Sequence, residues 1–436
     1  MSDKTTPRIL QGFCELLPQD QLLFDSLTEK ISNTYKKYGF FSIDTPVLEF
    51  SEVLLAKAGG ETEKQIYRFN HYDNDLSMRF DLTVPLARYV AQHSQDLVFP
   101  FRRCQISKVF RGERPQKGRF REFYQCDADV IGSEALDISY DAEMTSLIYD
   151  VMKSLDLGDF VIRVNNRKIL SGFFGYLGLS DKITEILRVI DKLEKMGLDK
   201  VKAELKEVGA DDKQISEILD FISISGSNSD KIEALKKIDA GELYSTGVEE
   251  LDTVIKTAVL LGTNEKNLRI DLSIARGLDY YTGTVYETTL IGHENFGSVC
   301  SGGRYDNLTG YYSDKVMPGV GISIGITRLF SLLKENEMLG SFTKTVKSAV
   351  VLPMDKERYA YAAKVVSEVR RAGIRCDVFW SDKSGKAKFK YASRIDADYA
   401  LAVGETEETN NTVTVKNLGT GEQVEVALDK VAEMIR

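Results

Sequence analysis

Residues 110–132 read FRGERPQKGRFREFYQCDADVIG, and this stretch decides the fold. Phe110 lies in one strand-like run (105–111), and residues 120–131 make the next. Between them a Pro/Gly turn carries Arg111, Arg114, Lys117, Arg119 and Arg121. Two such runs joined by a turn predict an antiparallel hairpin. Gln125 and Asp129 are separated by an even interval, so both project from one face of the second strand. That strand also holds Asp127 and is otherwise suited to burial. Polar groups on a buried face need partners, and a ligand can supply them. The arginine forks suit bidentate phosphate or carboxylate contacts. Taken alone, an arginine-rich hairpin is better explained as a solvated charge run; the polar face behind it is what argues for a site.

Working outward, residues 19–38 place Leu22, Leu23, Leu27, Ile31 and Tyr35 at helical spacing, and Gly39 ends that helix. Residues 40–48 read as a strand interrupted by Pro46, which suits an edge or a bulge. Strand signals follow around 64–69 and 76–81, and a helical pattern at 134–155. The mixture predicts an α+β domain built on an antiparallel sheet, without repeating βαβ units. Residues 166–261 change character, rich in Lys, Glu, Asp, Leu and Ile in short amphipathic segments, and read as a helical insertion. Strand signals resume at 268–290 and 296–304, and a Gly-rich turn leads into a helix at 318–334. After about 340 the pattern resets to strand–helix alternation with a closing hairpin and helix, a small α/β domain. The expected organisation is therefore residues 1–165 with 262–335 as one domain, 166–261 inserted into it, and 345–436 as a separate domain.

Composition narrows the class without naming a function. The chain has 436 residues, 43% hydrophobic and 28% charged, with a net charge of −9. No apolar run approaches the ~20 residues that a membrane span needs, and the N-terminus lacks a secretory pattern. Five dispersed cysteines form no CxxC pair, which reads as reduced thiols in a cytoplasmic protein. The acidic balance argues against a nonspecific nucleic-acid coat but leaves room for a local basic surface. There is no GxxxxGK[ST] loop, no strand–GxGxxG–helix unit and no HExxH; His71, His93 and His293 form no ligand cluster, so no metal site is expected.

Three further segments carry candidate chemistry. Residues 275–287, ARGLDYYTGTVYE, read as a strand whose Tyr280, Tyr281 and Tyr286 line a pocket beside Arg276. In residues 78–88, MRFDLTVPLAR, Asp81 and Thr83 would share one face of a strand, although an N-cap or turn accounts for the pair at least as well. In residues 318–328, PGVGISIGITR, glycines 319, 321 and 325 permit close approach of a strand and helix to a flat ligand or to each other.

Together FRGERPQKGRFREFYQCDADVIG, ARGLDYYTG and PGVGISIGITR resemble the signature motifs of class II aminoacyl-tRNA synthetases in their histidine-specific form, and the resemblance runs from about Arg8 to Arg436. It implies a class II catalytic domain, a C-terminal anticodon-binding domain, and ATP-dependent activation of L-histidine followed by transfer to tRNA(His). Arg111 and Arg276 are then the catalytic cations at the α-phosphate. Asp81, Thr83 and Gln125 hold the substrate's ammonium, Asp129 and Tyr281 meet the imidazole, and Tyr280 is a further histidine-binding residue. Glu113, Arg119, Arg121, Phe123 and Arg328 surround ATP, which brings Mg2+. The family usually has an acidic residue where this chain has Thr327. Residues 40–48 resemble the motif that forms the family's homodimer interface. Lys383, Lys386, Lys388, Lys390 and Arg394 would give the C-terminal domain a basic stripe for phosphates. The alternative within the fold is a non-catalytic regulatory subunit of ATP phosphoribosyltransferase, which the intact RGLDYYTG and the C-terminal extension argue against.

Overall fold

The computed structural model describes residues 4–56, 61–114, 118–190, 197–274, 280–341 and 348–435. The chain divides into two compact units, the first holding Met1–Glu15 and Leu27–Leu339 and the second Leu16–Ser26 and Gly340–Arg436.

The first unit is built on an eight-stranded sheet. Its strands are β1 (Phe41–Ser42), β5 (Phe101–Phe110), β6 (Glu122–Ile131), β7 (Phe160–Asn166), β8 (Leu268–Ile270), β9 (Thr284–Leu290), β10 (Cys300–Tyr305) and β11 (Gly319–Ile324), in the order β1-β5-β6-β11-β10-β9-β7-β8. The six inner strands are antiparallel, as the hairpin predicts. The short edge strands β1 and β8 pair in parallel, so the sheet is mixed.

Register gives the sheet two unlike faces, because residues paired across antiparallel strands share a face. One face carries Arg103, Asp129, Gly321 and Gly303 in successive register. The other carries Cys126, Ala128, Ile322, Ile324, Ile162 and Val164, all buried. From Leu27 onward the helix Pro18–Lys37 covers that apolar face: Leu27, Ile31 and Tyr35 are fully buried, and the Tyr35 hydroxyl donates to the Cys126 carbonyl at 2.9 Å. Ser139–Leu155 and Glu242–Leu260 pack on the same sheet. Each aliphatic side chain buried there contributes about 1.5–3 kcal/mol. The polar face is left for other use.

Several local readings change. Residues 40–48 split into two sheets, because β1 joins β5 while β2 (Leu48–Phe50) pairs with β4 (Asn74–Met78), which pairs with β3 (Arg68–His71). Pro46 sits at the change of sheet, where a missing N–H costs nothing. Residues 64–69 are not one strand, since Glu61–Gln65 is helical. Residues 268–290 divide into β8 and β9. The Lys/Glu/Leu-rich stretch is helical, with Ile183–Ile190, Leu198–Val208, Asp212–Ile222 and Asn228–Lys236 preceding Glu242–Leu260.

The second unit has a five-stranded sheet of β12 (Ser348–Pro353), β13 (Arg375–Val378), β14 (Tyr399–Val403), β15 (Thr412–Asn417) and β16 (Gln423–Ala427), ordered β13-β12-β14-β15-β16. The first three are parallel and the last two form the polar hairpin. Tyr359–Arg371 and Gly385–Arg394 are the expected helices, and Glu405–Asn410 is an unexpected one. Lys388 leaves the predicted basic stripe: it is fully buried, and its ammonium donates to the Pro353 and Met354 carbonyls. Lys383, Lys386, Lys390 and Arg394 remain exposed.

Candidate functional site

The polar face of β5, β6, β10 and β11 forms the floor of the candidate site. Asp129, 3% exposed, lies with Oδ2 2.7 Å from Arg103 Nη2, an ion pair outside hydrogen-bond alignment, and Oδ1 accepts from the Tyr305 hydroxyl at 2.9 Å. Burial raises the Asp129 carboxyl, with Arg103 and the Tyr305 bond opposing the shift. Burial works against the Arg103 charge as well, but Asp129 and Asp127 outweigh it and leave the guanidinium raised. Asp127 Oδ1 and Gln125 Oε1 are buried acceptors with no hydrogen-bond partner among the described residues. The Gln125 amide donates to Ser323 Oγ at 2.6 Å. Burial pushes Asp127 up to about 7, Arg103 opposing and Asp129 adding to the shift.

Glycines bring side chains flat against this floor. A Cβ on Gly321 would lie 2.5 Å from the Asp129 carboxyl carbon, and one on Gly303 would lie 2.9 Å from the Tyr281 ring. At Gly319 the Tyr305 ring takes the space. The predicted close approach at 319 and 321 is thus made by the protein's own side chains, whereas a Cβ at Gly325 would meet nothing within 4 Å. Tyr280 packs edge-on against Tyr281 and Tyr305, with centroids 5.1 and 5.9 Å away.

Asp81 and Thr83 do not share a strand face. β4 ends at Met78, and Thr83 opens the helix Thr83–Gln92. Asp81 Oδ1 accepts from the N–H groups of Thr83 (3.2 Å) and Val84 (2.9 Å), satisfying the first turn, where Pro85 has no N–H to lose. Burial raises Asp81, while the Val84 N–H and Arg111 hold it down.

Arg111 connects this floor to the arginine loop. Its guanidinium lies between the Phe80 and Phe123 rings, 4.3 and 5.1 Å from their centroids, and Nε donates to the Phe80 carbonyl at 3.2 Å. Burial lowers Arg111, with Asp81 and Glu113 opposing. Glu113 pairs with Arg119 at 3.3 Å, and its carbonyl accepts from Arg121 Nε at 3.0 Å. Arg328 donates to the Phe296 carbonyl at 2.6 Å, and its guanidinium is lowered by burial and then by the like charge of Arg119. An anion would relieve that repulsion. Thr327 Oγ1 accepts the Tyr124 N–H at 2.8 Å, tying the Arg328 helix (Ile326–Glu335) to the strand of Phe123.

The described candidates therefore form two connected groups. Asp81, Thr83, Arg111, Gln125, Asp129, Tyr280 and Tyr281 surround the floor, and Glu113, Arg119, Arg121, Phe123 and Arg328 surround the loop. Arg276 and Lys117 lie outside the described residues. Sequence reading gave no task to Asp127, Ser323, Arg103 or Tyr305. Asp127 continues the i, i+2 series of Gln125 and Asp129, and Arg103 stands opposite Asp129 in register.

A family profile described as histidyl-tRNA synthetase matches residues 12–329. The chain belongs to the histidyl-tRNA synthetase family. A second profile, anticodon binding domain, matches residues 348–436. The histidine–tRNA ligase of Clostridium tetani is 50% identical over 436 residues, covering 100% of this chain and 99% of its own. That of Finegoldia magna is 45% identical over 431 residues, covering 99% of both. The crystal structure of histidyl-tRNA synthetase from Nostoc sp. PCC 7120 superposes with a TM-score of 0.91 at 42% identity, covering 99% of each chain. The fold is therefore the class II synthetase fold, with a mixed-sheet catalytic domain and a C-terminal anticodon-binding domain on a separate sheet.

Proposed function

We propose that this chain is a histidine–tRNA ligase, an aminoacyl-tRNA synthetase that takes ATP, L-histidine and tRNA(His). The observation that carries the reading is full-length identity of 50% to a histidine–tRNA ligase, extending through the C-terminal unit. The regulatory-subunit alternative draws no support from these relatives.

The histidine carboxylate attacks the ATP α-phosphate in line, forming histidyl-adenylate and releasing pyrophosphate; the acyl group then passes to the 3′-terminal adenosine of the tRNA. Charge develops at the α-phosphate, and prepositioned cations stabilise it. Arg111 is one such cation, held between two aromatic rings so that little reorganisation is needed. Arg276 is assigned the opposite side on the strength of its motif. Glu113, Phe123 and Arg328 surround adenine, with Arg119 and Arg121 toward the outer phosphates. Asp81, Thr83 and Gln125 take the histidine ammonium, Asp129 and Tyr281 the imidazole, and Tyr280 also binds histidine. Asp129 is fixed by Arg103 and Tyr305, which suits a rigid acceptor in a selective pocket. Magnesium would accompany the ATP polyphosphate and neutralise part of its charge, with no dedicated protein site assigned to it.

Residues 1–165 with 262–335 are assigned to catalysis, 166–261 to a helical insertion and 345–436 to the anticodon. A homodimer through the segment around Pro46 is supported by the exposed apolar side chains Phe41, Val47, Leu48 and Phe50. A cytoplasmic location fits the described residues, among which no helix is long and apolar enough to cross a membrane. The test is histidine-dependent ATP–pyrophosphate exchange in Arg111→Ala and Arg276→Ala. Each is expected to cut kcat by on the order of 100-fold or more; unchanged kcat in both would refute the assignment.

A further inference from the structure

The floor of the site holds one carboxylate that the reaction has not used. Asp127 is 2% exposed, sits on β6 between Gln125 and Asp129, and projects from the same face as both. Its Oδ1 and the neighbouring Gln125 Oε1 are both buried acceptors with no hydrogen-bond partner among the described residues. Leaving such a group unsatisfied costs about 1–3 kcal/mol, more for a charged one. Asp129 differs from it, because its oxygens already meet Arg103 and Tyr305.

Charge points to the same kind of ligand. The groups coupled to Asp127 are the carboxylates of Asp129 and Asp81, the guanidiniums of Arg103, Arg111 and Arg79, and the neutral Tyr281, Tyr35, Cys126 and Cys300. Arg103 is ion-paired to Asp129, Arg79 donates to the Lys108 and Thr45 carbonyls, and Arg111 lies against the Phe80 and Phe123 rings and donates to the Phe80 carbonyl. Asp127 is thus a buried carboxylate beside two others, without a cation dedicated to it among the described residues. Two adjacent free acceptors and a surplus of negative charge call for a cationic group with several donors. A neutral imidazole offers one N–H and a lone pair; an ammonium offers three N–H groups and a fixed positive charge.

We propose that Asp127, together with Gln125 Oε1, receives the α-ammonium of the amino-acid substrate, and that this contact makes the site discriminate an amino acid from its deaminated analogue. The inference rests on histidine being the substrate. Ser323 already hydrogen-bonds the Asp127 carboxylate, and binding satisfies its remaining acceptor, Oδ1, with a charge-assisted hydrogen bond. Because burial holds Asp127 up at about 7 when the site is empty, the incoming cation also drives its proton off at neutral pH.

The experiment is isothermal titration of wild type and Asp127→Asn with L-histidine and with imidazolepropionate, which lacks the ammonium. Runs at pH 7 in buffers of different ionisation enthalpy count released protons. Asp127→Asn is expected to weaken histidine roughly 10- to 100-fold and to leave imidazolepropionate within about twofold. Wild type is expected to release a fraction of a proton with histidine that the variant does not. Unchanged histidine affinity in the variant, or an equal loss for both ligands, overturns the proposal. Failure of wild type to bind histidine at all overturns the functional reading itself and this inference with it.

Discussion

Gly321→Ala isolates the role of the glycine-paved floor. The new Cβ would lie 2.5 Å from the Asp129 carboxyl carbon, where ordinary contact is 3.4–4 Å, and the Ala128 carbonyl sits 3.0 Å away on the other side. The carboxylate must retreat by about 1 Å, which breaks its Tyr305 hydrogen bond and stretches its Arg103 ion pair. Arg103 is fully buried and its Nε and Nη1 already lack hydrogen-bond partners, so its charge is left to Asp127, a carboxyl that burial itself pushes toward the neutral form. Breaking one side of a buried ion pair costs about 3–5 kcal/mol. For a domain of this size that is a fall in melting temperature of roughly 5–15 °C. Gly325→Ala is the control from the same segment, with φ −74° and nothing within 4 Å of its Cβ, and should stay within about 0.5 kcal/mol of wild type. Thermal unfolding followed by near-ultraviolet circular dichroism, with histidine-dependent exchange on the same samples, reads both effects. A Gly321→Ala protein that melts with the Gly325→Ala control and keeps its KM for histidine would refute the reasoning.

Three further outcomes are expected. Thr327→Val removes the acceptor of the Tyr124 N–H and loosens the strand–helix join beneath Phe123 and Arg328; it should raise KM for ATP by roughly 3- to 10-fold, as loss of one hydrogen bond does, with KM for histidine unchanged and Thr327→Ser near wild type. Asp127 titrates near 7 in the folded protein and near 3.8 unfolded, so between those values the folded state holds a proton that the unfolded chain has lost. Stability is therefore lost as pH rises through that window, by up to about 1.4 kcal/mol per pH unit, and Asp127→Asn should gain on wild type between pH 5 and pH 8 in urea titrations; a constant gap would contradict this. Lys388→Ala leaves the Pro353 and Met354 carbonyls unpaired and should destabilise the second unit by about 1–3 kcal/mol, while exposed Lys386→Ala stays within about 0.5 kcal/mol; equal melting curves for the two would count against it.

The hairpin at 110–132 was legible in sequence because period-two burial and an arginine turn sit side by side, and the polar series Gln125, Asp127, Asp129 marked which face would be special. The glycines of 318–325 signalled close approach, but not what approaches, since that depends on register with β6 and β10. Arg103 was invisible for the same reason: a lone arginine in a strand acquires meaning only when pairing sets it opposite Asp129. For Asp81 and Thr83 the sequence left a strand face and an N-cap both open, because a carboxylate four residues before a proline fits a strand end and a helix cap alike; the structure takes the cap. Lys388 was misread because periodicity gives the face of a helix, not how far a neighbouring strand's carbonyls reach toward it.

The most direct measurement is ATP–pyrophosphate exchange with each of the twenty amino acids, followed by charging of tRNA(His) with the one that responds. Exchange with histidine alone, and histidine-specific charging, is the predicted result. A folded protein that binds histidine yet supports exchange with no amino acid, or one that responds to an amino acid other than histidine, would contradict the account.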